Sequence, residues 1–156
     1  MNYILDTNIV TAQINQQERV IRKIQEVLDQ GGNIFISVIT DYEINRGLFA
    51  SHAIKKSIIY ETLRKQYRML WLDDLRISEK AAEIYADLKQ RGQLIQDADI
   101  LIAATALCAD FTVVSDDEHF TRIPALAVEN WLNERCEAIL TTAATEDATE
   151  YAEKTL

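Results

Sequence analysis

Four acidic residues stand where a sheet protein would gather them. Asp6 follows the apolar run Tyr3-Ile4-Leu5, and Glu43 lies in the first turns of a helix predicted after the strand-like IFIS at 34–37. Asp99 heads the almost wholly apolar ILIAATALCA, and Asp117 follows FTVVS at 111–115, which reads as a buried strand. In an open α/β sheet, the carboxyl ends of strands and the N-termini of the helices between them share one edge. Four carboxylates from four distant stretches are therefore expected at that edge. Gathering them without a cation is costly: two carboxylates roughly 4 Å apart repel by about 4 kcal/mol at an effective dielectric of about 20. A hard divalent ion such as Mg²⁺ or Mn²⁺ removes the repulsion and takes oxygen ligands. It also activates water for attack on phosphorus and stabilises charge on the departing oxygen. Phosphodiester hydrolysis is the chemistry this set points to.

Taken singly, each acid has a plain structural reading. Asp6 suits a helix cap for residues 8–13, and Asp97 and Asp99 both suit the cap of the apolar helix. Glu43 suits a solvated helix face, with Asp41 an equal candidate for the cap. Asp116-Asp117-Glu118 suits a polar turn after a strand. The argument for a site rests on the constellation.

The elements that would position these acids follow from periodicity. After the strand at 3–5, Val20, Ile21, Ile24, Val27 and Leu28 recur at helical spacing over 19–30, and Gly31-Gly32 stops that helix. Thr40 or Asp41 is expected to cap the next helix, which carries Tyr42, Ile44 and Leu48. A basic amphipathic helix at 53–68 precedes a strand in MLWL at 69–72. Ser78 is expected to start a helix running through Lys89, with Gly92 at its end. ILIAATALCA is hydrophobic all round and reads as a buried helix. A short strand at 125–128 and a last helix from Glu129 close the pattern. Short strands alternating with helices predict an α/β fold, with a mostly parallel sheet covered on both faces.

Composition sets the outer bounds. The 156 residues carry a formal net charge of −9, with one proline, Pro124, and only four glycines, so no linker divides the chain. From Glu134 onward six acids and two bases give −4, leaving −5 for the first 133 residues. The chain thus reads as one domain at 1–133 with an acidic extension at 134–156, Thr/Ala/Glu-rich after about Leu140 and expected to be disordered or weakly helical. An acidic body argues against bulk non-specific binding of nucleic acid. The bases cluster instead, with Lys55, Lys56, Arg64, Lys65 and Arg68 in one stretch that suits an RNA backbone, a partner surface or a solvated face. Cys108 and Cys136 read as reduced thiols. Neither a signal peptide nor an apolar run of membrane-spanning length is evident, so a cytoplasmic location is expected. Of the two histidines, His52 and His119, the latter reads as an exposed turn residue. Trp71 and Trp131 read as core or interface.

YILDTNIV, SVITDYEINRG, GQLIQDADILIAATAL and VVSDDEHFTRIPALAVENW, in that order over residues 3–131, resemble the PIN-domain family, in particular the VapC-type toxins of bacterial toxin–antitoxin pairs. The resemblance implies a PIN-like three-layer fold. It also implies an acidic catalytic set of Asp6, Glu43, Asp99 and Asp117 around Mg²⁺ or Mn²⁺, with Asp6, Asp99 and Asp117 holding the ion. Glu43 fits because Gly47 follows it by four residues, a spacing Asp41 lacks. Asp117 fits the order Ser/Thr, then Asn or Asp, then acid, although Asp116 stands where the family often has Asn and stays a candidate. Thr7, Asn8 and Ser115 match small polar positions that orient carboxylates or waters, and Asp97 becomes an outer acid. For function the resemblance implies cleavage of a specific transfer or ribosomal RNA, a cognate antitoxin and a homodimer.

Three other readings compete. Haloacid-dehalogenase-like phosphatases also end their first strand in aspartate, but need a second one two residues on, where this chain has Asn8. A PIN-like RNA- or protein-binding module with little nuclease activity typically lacks one or more of the acids, all of which are present here. An RNA-processing PIN nuclease without an antitoxin often carries extra RNA-binding domains, and this chain shows none.

Overall fold

Strands of two to five residues expose too little edge to stand alone, so the sheet depends on cover from both sides. The computed structural model describes residues 1–133. They run β1 (Asn2–Leu5), α1 (Thr7–Ile14), α2 (Glu18–Asp29), β2 (Asn33–Ser37), α3 (Val38–Ala50), α4 (Ile54–Arg64), β3 (Arg68–Leu70), α5 (Leu75–Gln90), α6 (Asp97–Ala109), β4 (Thr112–Val114), a 3-10 turn (Glu118–Arg122) and β5 (Val128–Glu129). The strands pair in the order β3-β2-β1-β4-β5, all parallel. This is the three-layer α/β sandwich predicted from the sequence.

Alternation along the strands sorts the core in two. Tyr3, Leu5, Ile34, Ile36 and Val114 pack with α1–α4, against side chains such as Ile9, Val20, Leu48 and Tyr60. Ile4 and Val113, one residue out of step, pack with α5 and α6 against Ile84, Leu88 and Ile102. Each aliphatic side chain so buried contributes about 1.5–3 kcal/mol. The apolar α6 is the buried helix its sequence predicted, with Ile100, Ile102, Ala103, Ala104 and Ala106 all in the core.

The strand order places a crevice. The chain builds outward from β1 to β2 and β3 on one side, then crosses to β4 and β5 on the other. Between the carboxyl ends of β1 and β4 the winding reverses, and ligands bind at such switch points.

Several boundaries differ from expectation, each for a local reason. The cap of α3 is Ser37, not Thr40 or Asp41: its Oγ accepts from the Thr40 amide at 2.9 Å, so β2 passes directly into the helix. Helix α5 starts at Leu75, not Ser78, because Asp74 accepts from the Arg76 amide at 2.9 Å and also pairs with its guanidinium. The basic helix is shorter than expected, and β3 ends before Trp71, which is 59% exposed and so is not a core residue. Ala125 turns left-handed (φ 63°) and delays the last strand to Val128. No helix starts at Glu129, which belongs to β5; Asn130 Oδ1 instead accepts from the amides of Leu132 and Asn133. Residues 134–156, with the predicted extension and Cys136, lie outside the described part. Among the described residues no helix is long and apolar enough to cross a membrane.

The turn after β4 is anchored by Phe120, which is fully buried in the α5–α6 core. Phe120→Ala should destabilise the protein by about 3–5 kcal/mol, measured by urea unfolding. A loss under about 1 kcal/mol would show that this ring does not fix the turn.

Candidate active site

The site begins with two tethers at the end of β1. Thr40, fully buried in the first turn of α3, donates its hydroxyl to the Leu5 carbonyl at 3.2 Å. The Asp6 amide donates to the Val114 carbonyl at 3.0 Å. The first tether brings the face of α3 that carries Glu43 beside Asp6. The second locks Asp6 to the end of β4, just before Ser115.

Asp6 is 5% exposed and occupies the N-cap position of α1, yet its side chain makes no cap hydrogen bond. Its Oδ2 instead accepts from Ser115 Oγ at 2.8 Å. Ser115 is saturated: its Oγ also accepts from Asn8 Nδ2 at 2.9 Å and from the Asp117 amide at 3.0 Å. Thr7 donates to Glu43 Oε2 at 2.6 Å, and Arg46 approaches the other Glu43 oxygen at 3.7 Å. Thr7 and Ser115 thus bond the Glu43 and Asp6 carboxylates directly, and Asn8 bonds Ser115 and the Asp116 amide.

Asp99 opens the first turn of α6 and is half-buried. Burial pushes its carboxyl up to about 6, and the charges of Asp6, Asp117 and Glu43 add to the rise; His119 pulls the other way. Asp6 is raised too, first by burial, against the Ser115 hydrogen bond, with Glu43 and Asp117 adding to the rise. The charges of Glu43 and Asp117 thus bear on both Asp6 and Asp99 at the sheet edge expected from the sequence. The group whose donor atoms come within 4.8 Å of one another is Asp99, Asp117 and His119, without Asp6 or Glu43.

The alternatives separate. Asp41 binds the Tyr60 hydroxyl at 2.7 Å, Arg64 at 3.4 Å and Asn45 at 3.2 Å, a structural knot apart from the cluster. Asp116 turns outward, where its Oδ1 accepts from Asn130 at 2.6 Å and from Asn133 at 2.8 Å. Asp97 is exposed and enters none of the hydrogen bonds found among the described residues. The basic stretch is also partly committed, since Arg64 pairs with Asp41.

His119 sits in the turn with its side chain 40% exposed, as expected, but its Nδ1 is shut off from solvent and lies 3.1 Å from Asp117 Oδ1. Donor atoms of Asp99, Asp117 and His119 all lie within 4.8 Å of one another. Its spacing two residues after Asp117 was the available signal; the place of Nδ1 beside Asp117 goes with the cap that Asp117 makes with the His119 amide at 2.8 Å. Carboxylates crowded so that Asp6 and Asp99 hold their protons more tightly, beside an imidazole nitrogen with no hydrogen bond among the described residues, suit a divalent cation by their donor chemistry.

The sequence profile of the PIN domain matches residues 3–126. The chain belongs to the PIN domain family. The ribonuclease VapC2 of Rickettsia felis is 32% identical over 140 residues, spanning 84% of this chain and 98% of its own. The ribonuclease VapC2 of Haemophilus influenzae is 31% identical over 136 residues, spanning 85% and 99%. In the solved VapBC2 complex from Rickettsia felis, bound to a promoter DNA fragment, one chain matches this PIN domain with a TM-score of 0.76 at 27% identity, over 84% of this chain and 99% of that one. This PIN domain is thus of the VapC type.

The repulsion has a stability consequence. Because its carboxyl is raised from 3.8 to about 6, Asp99 binds its proton more tightly folded than unfolded, so this group makes metal-free protein less stable as pH rises through that window. In EDTA at pH 7.5, Asp99→Asn should therefore melt at a higher temperature than the wild type, and the difference should vanish near pH 4. An equal or lower melting temperature at pH 7.5 would contradict the reading.

Proposed function

We propose that this chain is a metal-dependent endoribonuclease that acts as the toxin of a toxin–antitoxin pair. In this reading it hydrolyses phosphodiester bonds in a specific transfer or ribosomal RNA, works as a cytoplasmic homodimer, and is held in check by a cognate antitoxin. The carrying observation is that Asp6, Asp117 and Glu43, from three other stretches of the chain, all bear on the half-buried Asp99 carboxyl, which is pushed up to about 6. The RNA substrate is supported by relatives named ribonucleases. The antitoxin is supported by structural neighbours solved as VapBC complexes.

When bound, Mg²⁺ or Mn²⁺ supplies an acidified water as nucleophile and stabilises charge on the leaving oxygen. The chain's own work is placement. Asp6, Asp99 and Asp117 take the ion. Ser115 fixes the Asp6 carboxylate, and Thr7 fixes Glu43 beside it. Beside Asp117 a cleft of about 430 Å³ is lined by Asn8, Asp116, Asp117, Glu118, His119 and Arg122. Its volume is that of a small-ligand site, and Arg122 brings a guanidinium suited to an RNA phosphate. Below about pH 6 the proton on Asp99 competes with the ion, so cleavage weakens as pH falls through that value.

The test is RNA cleavage by the purified full chain, free of antitoxin, on total cellular RNA with Mg²⁺, Mn²⁺ or EDTA, with 5′ ends mapped. A few discrete, metal-dependent cuts are expected, lost in Asp6→Ala while its circular dichroism stays native. No cuts in either metal from folded protein would turn the reading to a binding module. Loss of both folding and cutting in Asp6→Ala would give Asp6 a structural role.

A further inference from the structure

The proposed metal centre leaves the imidazole of His119 without a task. Its Nδ1 is shut off from solvent and has no hydrogen bond among the described residues, though it lies 3.1 Å from Asp117 Oδ1. That oxygen already accepts from the His119 amide at 2.8 Å. An imidazole nitrogen and a carboxylate oxygen this close, with no aligned hydrogen bond between them, are both donors that a divalent transition ion accepts.

The backbone holds the ring there. Asp117 caps the 3-10 turn that carries His119, and the next residue, Phe120, is fully buried. The imidazole is thus carried on an anchored turn beside Asp99 and Asp117, whose donor atoms all fall within 4.8 Å of its own.

We propose that His119 Nδ1 is a direct ligand of the cation, joining Asp99 and Asp117, and that it biases the site toward a first-row transition ion such as Mn²⁺ over Mg²⁺. The inference rests on the metal-centre reading above. Mg²⁺ demands oxygen donors and gives up its waters reluctantly, whereas imidazole nitrogen suits transition ions. A neutral ring is required, with its proton on Nε2. His119 then decides which metal the site prefers, a property that the four carboxylates alone would not give it.

The chain contains two histidines, which makes the test clean. The other, His52, lines a separate hollow with Leu48, Phe49 and Ile58 between α3 and α4. Untagged full-length protein is stripped of metal and titrated with Mn²⁺, with free ion followed by electron paramagnetic resonance and Mg²⁺ used as competitor. Pulsed spectra of the bound Mn²⁺ then read nitrogen-14 modulation from a coordinated imidazole. The expected result is modulation in the wild type and in His52→Ala, and its loss in His119→Ala and His119→Gln. Mn²⁺ affinity should fall by at least about 10-fold in the His119 variants, with a smaller fall for Mg²⁺. Circular dichroism checks the fold of each variant, and two different replacements guard against one failing to fold. Bound Mn²⁺ without nitrogen modulation, or modulation that survives both replacements, would overturn the role of His119 and leave the carboxylate centre standing. Failure of the wild type to bind Mn²⁺ at all would overturn the metal centre itself, and this inference with it.

Discussion

Repulsion among Asp6, Glu43, Asp99 and Asp117 is the constraint around which the rest of the chain is arranged. Burial already disfavours the charge on Asp6 and Asp99, and the charges of Glu43 and Asp117 make both harder still to ionise. A fold that tolerates this must make the crevice rigid enough that the carboxylates do not simply turn away. Such strain at a site is expected where binding a ligand relieves it.

The rigidity comes from short, specific tethers on a well-packed base. Ser115 spends its one proton on Asp6 and accepts from two other groups, so its position is determined from three sides. Thr40 binds the start of α3 to the last carbonyl of β1. Phe120 and the apolar body of α6 anchor the turn and the helix that carry Asp117 and Asp99. Parallel strands that reverse their winding between β1 and β4 bring these parts to one crevice. Sequence, packing and electrostatics agree on the same edge of the sheet.

Much of this was legible before any coordinates. Runs such as Tyr3-Ile4-Leu5 and ILIAATALCA mark buried elements by composition alone, and the acids at their ends follow from the geometry of parallel sheets. What was not legible depends on contacts across the chain or on single local bonds. Ser37 caps α3 because strand and helix are contiguous, and Asp74 moves the start of α5 forward by a bond to the Arg76 amide. The choice of Glu43 over Asp41, implied by the resemblance through Gly47, gains its physical reason from Tyr60 and Arg64, which hold Asp41 elsewhere. His119 could be placed in a turn by sequence, but the burial of one nitrogen of an otherwise part-exposed ring could not. Of the two readings for Trp71, core and interface, its exposure removes the first, because a large aromatic residue beside a strand is a poor guide to which way it faces.

The central claim is that the acids repel one another in the free protein and that a divalent cation relieves them. Carbon-13 carboxyl NMR tests it most directly, with the Asp99 signal identified by its loss in Asp99→Asn. In metal-free protein, Asp99 should titrate near pH 6, and saturating Mg²⁺ should carry its midpoint below the ordinary 3.8. A midpoint near 3.8 without metal, or one that Mg²⁺ leaves unmoved, would contradict the account.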